Sequence, residues 1–154
     1  MDKIPKILFL SRGSASRAQI AEGFLRDMAG DRLVAFSAGT ESAEVSPLAL
    51  EVMWEAGVDI STQRPREIPS LFRETIRYAV VVCDEPRERY PVFPFTPKLL
   101  KWSVSDPESA AGGQEAKKQA FREVRDQLKR RVEELVETVS QPNGAGAKVH
   151  AAAA

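Results

Sequence analysis

The chain is short of the residues from which most catalytic centres are assembled. Of its 154 residues, one is cysteine, Cys83, and one is histidine, His150. A lone cysteine excludes an intramolecular disulfide and any internal dithiol relay. A lone histidine near the chain end argues against a histidine-based metal cluster and against a Ser–His dyad. Net charge is missing as well, because 22 basic and 22 acidic side chains cancel. Bulk charge therefore draws the chain neither to nucleic acid nor to an anionic membrane. The basic run Lys129-Arg130-Arg131 lies between acidic residues on a helical pattern and reads as a solvated helix face. There is no apolar run long enough for a membrane span and no signal-peptide pattern at the start, which makes a cytoplasmic location the expectation. The length suits one domain with a real core, taken as residues 1–140. Residues 141–154, rich in Pro, Gly and Ala, read as a flexible or appended tail.

What is present is an alternation of strand-like and helix-like segments. The expected strands are Lys6–Leu10, Leu33–Ser37, Tyr78–Val82 and Lys98–Trp102. Ala79-Val80-Val81-Val82 is continuously apolar and β-branched, as in a strand buried on both faces. A first helix over Gln19–Met28 carries Ile20, Phe24 and Met28 on one face. A second is expected to start at Ser46-Pro47, with serine as cap and proline in the first turn, and to stop at Gly57. A third, from about Gln114 to Val139, keeps Phe121, Val124, Leu128, Val132, Leu135 and Val139 in helical register. This order predicts an α/β fold, a parallel sheet covered on both faces. Trp54 and Trp102 read as core or pocket wall.

The most informative stretch is Ser11-Arg12-Gly13-Ser14-Ala15-Ser16-Arg17, between the first strand and the first helix. A loop of small residues at a helix start turns backbone N–H groups inward, and the helix dipole favours negative charge there. Arg17 can add a bidentate fork to a phosphate-like ligand. In a parallel sheet, ligands gather at the carboxyl ends of strands, where both this loop and Cys83 fall.

Several segments in order resemble the low-molecular-weight protein tyrosine phosphatases, and within them the thioredoxin-coupled arsenate reductases. They are the Ser11–Arg17 loop with the Cys-x5-Arg spacing, Ala21-Glu22-Gly23-Phe24-Leu25, Ser37-Ala38-Gly39-Thr40, Gly57-Val58-Asp59-Ile60-Ser61 with Gln63-Arg64, Val82-Cys83-Asp84, Pro91-Val92-Phe93-Pro94, and Trp102 through Asp106-Pro107. The resemblance spans roughly residues 6 to 138. It implies a three-layer α/β/α domain around a four-stranded parallel sheet. It also implies Asp106 as general acid, with an Asp-Pro turn kept for loop shape as the other reading.

The chain departs from that family where the chemistry is done. The resemblance puts a thiolate at the first loop position, and here Ser11 stands there. A thiol starts near pKa ~8.5 and is readily lowered beside cations, whereas a serine needs an adjacent base. Ser14 stands where the family usually has Asn, Ser16 where a second cysteine is frequent, Ala18 where a serine is usual, and Tyr90 where the reductases carry a further cysteine. Arg12 adds a charge at the loop. Cys83 matches one reductase cysteine and otherwise reads as a buried strand-end residue.

These features rank an oxyanion-binding relative without thiol catalysis first, with Ser11, Arg12, Gly13, Ser14, Ala15, Ser16 and Arg17 contacting phosphate, arsenate or a sulfate-like anion. A phosphorylated protein is a further candidate partner, docking on Arg12 and Arg17. The alternative is a working phosphatase or arsenate reductase using Ser11 or Cys83 with Arg17 and Asp106. Neither reading calls for an organic cofactor or a metal.

Overall fold

The structure is a computed structural model and describes residues 4–40, 44–84 and 98–140. Tyr90, Pro91-Val92-Phe93-Pro94, His150 and the 141–154 tail lie outside the described residues. The elements run β1 (Lys6–Ser11), α1 (Ser16–Ala29), β2 (Val34–Gly39), α2 (Pro47–Glu55), β3 (Tyr78–Cys83), β4 (Lys98–Ser103) and α3 (Gln114–Ser140). Short 3-10 turns occupy Ile68–Arg73 and Pro107–Ser109.

The four strands form one parallel sheet in the order β2-β1-β3-β4. Alternation along β1 assigns its two faces, since successive side chains point to opposite sides of a strand. Ile7 and Phe9 join a large core with α1, α2 and α3, while Leu8 and Leu10 join a smaller cluster with Ala38, Leu71 and Ala79. Three layers result: the helices on one face, the sheet, and on the other face the 3-10 turn with Ile68, Leu71 and Ile76. Every residue of β3 is buried, as its unbroken apolar run requires. The strand order reverses at β1, with β2 added on one side and β3 on the other, so the carboxyl end of β1 lies at the topological switch point.

Each helix buries the stripe its spacing predicts. On α3, Phe121, Val124, Leu128, Val132 and Leu135 are buried and Val139 packs against them. On α1, Ile20, Ala21, Phe24 and Leu25 are buried. The α1 helix begins at Ser16 rather than Gln19, because the Gln19 N–H already bonds the Ala15 carbonyl at 2.7 Å. On α2, Ser46 takes the cap position and Pro47 the first turn, but the Ser46 hydroxyl makes no capping bond; its carbonyl receives the Leu50 N–H at 3.0 Å.

Trp54 departs from its expectation. It is 69% exposed, whereas Trp102 is buried. Leu48, Ala49, Val52 and Met53 take the inward face of α2, and that spacing leaves the next position facing outward. Beside it Glu55 clips α2 to α3, accepting from Arg122 at 2.9 Å and from Arg125 at 2.9 Å. The Arg122 hydrogen bond, followed by that from Arg125, holds the Glu55 carboxyl down at about 2. Buried Trp102 packs on Phe9, with ring centroids 5.9 Å apart, and the Arg131 guanidinium covers its ring at 5.8 Å. Among the described residues, no helix is long and apolar enough to cross a membrane.

Because the three helices share one core, emptying its centre destabilises the whole sheet. Phe121→Ala is expected to lower unfolding free energy by about 3–5 kcal/mol, read from urea denaturation followed by circular dichroism.

Candidate functional site

The switch-point end of the sheet is where chain segments from four parts of the molecule meet. β1 ends at Ser11, which pairs with Gly39 of β2 and Val82 of β3. The chain then leaves the sheet through a tight loop. The Arg12 N–H still bonds the Val82 carbonyl at 3.0 Å, and the Thr40 N–H bonds the Ser11 carbonyl at 3.2 Å. The Gly13 N–H donates to Thr40 Oγ1 at 2.7 Å. Gly13 has φ of 75°, a left-handed conformation that glycine adopts without a Cβ clash. Gly39 is required for a different reason. A Cβ there would lie 2.8 Å from both the Ala15 nitrogen and the Gly13 carbonyl, so only glycine lets β2 pass this close to the loop.

The serines turn toward one another. Ser11 is fully buried, and its hydroxyl donates to the Ser14 carbonyl at 2.8 Å, closing the loop on itself. Ser14 Oγ donates to Ser16 Oγ at 3.2 Å. Ser16 Oγ donates in turn to Glu108 Oε2 at 2.7 Å. The α1 helix then starts, and the amides of its first turn precede the first intrahelical acceptor, which gives this end its positive dipole.

Arg17 lies beneath. It is 1% exposed, and its guanidinium donates to the Val104 carbonyl at 2.8 Å and the Arg12 carbonyl at 2.7 Å. The Val104 N–H bonds the Cys83 carbonyl at 3.0 Å. One line of hydrogen bonds therefore joins the end of β3, the exit of β4, the side chain of Arg17 and the loop. Cys83 itself is fully buried.

The Asp106 carboxylate serves its own turn. It caps Pro107–Ser109 by accepting the Glu108 N–H at 3.0 Å and the Ser109 hydroxyl at 3.2 Å. Asp106 also borders a cleft of about 540 Å³ shared with Asp84 and Glu123. The structure thus brings Ser11, Gly13, Ser14, Ala15, Ser16 and Arg17 together, leaves the Arg12 residue exposed at the rim, and connects Asp106 to them through Glu108. Sequence reasoning missed Glu108 and Thr40 as members of the site. Glu108 follows the Asp-Pro pair, but no periodicity marks its contact with a serine 92 residues away.

Behind the loop, α1 carries a buried polar group. The Ser37 hydroxyl donates to Glu22 at 2.5 Å, and Gln19 Nε2 donates to Ser37 Oγ at 2.5 Å. Gln63 Nε2 donates to the Gln19 carbonyl at 3.0 Å, and Arg26 pairs with Glu22. Burial pushes the Glu22 carboxyl above its ordinary 4.5, against the opposing pull of Ser37 and Arg26.

A parallel sheet with a strand–loop–helix junction of Ser-x5-Arg form at its switch point defines an α/β protein of the small phosphatase class. The chain belongs to the low molecular weight phosphotyrosine protein phosphatase family, whose model matches residues 6–144. It is 35% identical over 132 residues to an arsenate reductase of Bacillus subtilis (strain 168), covering 86% of this chain and 95% of that protein. An arsenate reductase of Halalkalibacterium halodurans is 34% identical over the same shares. Among solved structures, an arsenate reductase in the phosphate binding state superposes with a TM-score of 0.74 at 29% identity, covering 88% of this chain and 99% of that one. An arsenate reductase in the oxidized state gives 0.73 at 31% identity, over 88% and 98% of the two chains.

The contacts of Gly39 are all backbone, so Gly39→Ala forces the loop to move. It is expected to cost about 1–3 kcal/mol and to lower the midpoint of thermal unfolding. For Glu22, a raised folded-state pKa means that its contribution to stability is complete below about 4.5 and is lost as pH rises through the raised value. Denaturant titrations from pH 4 to pH 8 should therefore show stability falling with pH relative to Glu22→Gln, which lacks this slope.

Proposed function

We propose that this protein binds a tetrahedral oxyanion in the Ser11–Arg17 loop and that the loop performs no thiol-based catalysis. The observation that carries the reading is the state of Ser11. It heads the loop, is fully buried, and its hydroxyl donates a hydrogen bond to the Ser14 carbonyl. A serine becomes a nucleophile only when a base accepts its hydroxyl proton, and an amide carbonyl is not such a base. The single thiol, Cys83, is buried at the end of β3, so it does not substitute as an accessible nucleophile.

The anion-binding half of the reading is supported by the loop's construction. The first-turn amides of α1 and the helix dipole favour an anion at this end. Arg17, held across the loop by Val104 and Arg12, brings a fixed positive charge to the same place. Exposed Arg12 at the rim suits the flanking charge of a phosphorylated protein. The ligand class is phosphate, arsenate or a sulfate-like anion, in keeping with the similar arsenate reductase whose structure is in the phosphate binding state.

The test is a paired one. Isothermal titration of the chain with phosphate and arsenate should give millimolar or tighter binding. The chain should neither hydrolyse p-nitrophenyl phosphate nor reduce arsenate with an external thiol, and Ser11→Cys should acquire activity in at least one assay. Absence of binding by both anions would overturn the anion reading. Turnover by the chain as it stands would overturn the non-catalytic reading, and loss of that turnover in Ser11→Ala or Cys83→Ser would name the nucleophile.

A further inference from the structure

We propose that Glu108 makes the loop select oxyanions that still carry a proton, hydrogen phosphate and hydrogen arsenate, over sulfate. The inference rests on the anion-binding reading of the same loop and names its ligand more narrowly. Ser14 Oγ, Ser16 Oγ and Glu108 Oε2 form a row of oxygens, 3.2 Å and then 2.7 Å apart, at the start of α1. Both hydroxyl protons in that row point toward the carboxylate. The first-turn amides of α1 supply donors, and the Glu108 carboxylate is hydrogen-bonded to the loop through Ser16.

The carboxylate is fixed in place. Pro107 is buried, and Asp106 holds the turn by capping the Glu108 N–H at 3.0 Å and the Ser109 hydroxyl at 3.2 Å. A carboxylate offers about four acceptor sites and no donor, and the Ser16 hydroxyl takes one. A ligand that carries P–O–H or As–O–H can donate into the remaining capacity and form a charge-assisted hydrogen bond. Sulfate has no proton at neutral pH and presents only acceptors. It meets the carboxylate as like charge against like charge, with no bond to offset the repulsion. A polar site built for one hydrogen-bonding pattern rejects the analogue that lacks it. Loss of one hydrogen bond to a charged group corresponds to a factor of roughly 10 to 100 in affinity.

The experiment compares phosphate, arsenate, sulfate and monofluorophosphate by isothermal titration at one neutral pH and constant ionic strength. Monofluorophosphate has the shape and charge of hydrogen phosphate with the O–H replaced by fluorine. The full chain is expected to bind phosphate and arsenate roughly 10 to 100 times more tightly than sulfate, with monofluorophosphate as weak as sulfate. In Glu108→Gln, with its fold checked by thermal unfolding, the phosphate-to-sulfate ratio should collapse toward one. That collapse includes a gain for sulfate, because the new amide donates to it. Equal binding of phosphate and monofluorophosphate by the unaltered chain overturns the proposal without recourse to any variant. An unchanged ratio in folded Glu108→Gln overturns it as well. Failure of all four anions to bind either protein has a different signature: it removes the anion-binding reading itself.

Discussion

A guanidinium with almost no solvent contact has to be surrounded by acceptors, and the end of this sheet is arranged around that requirement. Arg17 reaches the Val104 carbonyl on one side and the Arg12 carbonyl on the other. Through Val104 it is linked to the Cys83 carbonyl and so to the end of β3. Burying a charge is costly unless it is paired and hydrogen-bonded, so each of these carbonyls is held to its place by the same demand. The loop after β1, the exit of β4 and the first turn of α1 are consequently tied into one hydrogen-bonded block.

That block also explains how the loop keeps its form with serine at its head. The Ser11 hydroxyl closes back on the Ser14 carbonyl, Gly13 is anchored to Thr40, and Gly39 admits the close crossing of β2. Both of these hydrogen bonds are internal to the protein, so the loop is held in shape by its own contacts. Membership in the phosphatase family describes the scaffold. The chemistry done on it follows from the groups at the loop, and the same fold hosts different activities when those groups change.

Much of this architecture was legible in the sequence because it rests on local pattern. The continuous apolar run of β3 and the helical stripe of α3 are enforced by burial on one or both faces, and the structure fills both as expected. Two of the ends that differ from expectation have cooperative causes. Helix α1 reaches back to Ser16 because Gln19 finds the Ala15 carbonyl, and β2 reaches forward to Gly39 because its register with β1 carries Ser11 opposite that residue. The place of the Ser11–Arg17 loop between β1 and α1 was legible through its spacing and small residues. Glu108 was not, since a glutamate after Asp-Pro is locally an ordinary turn residue, and only the packing of the 3-10 turn against α3 brings it within hydrogen-bond reach of Ser16. Trp54 lies outside the core because hydrophobicity alone does not decide which side of a helix a residue occupies.

The burial of Cys83 has a consequence for how the folded protein can be observed. It is the one thiol in the chain, sealed at the end of the central strand and joined through its carbonyl to Val104. A thiol reagent in solution can reach it only when this end of the sheet opens. Its modification rate therefore acts as a clock on that opening, and native proteins open locally with free energies that range up to that of global unfolding. The molecule carries its own reporter at the point where β3, β4 and the Arg17 block meet.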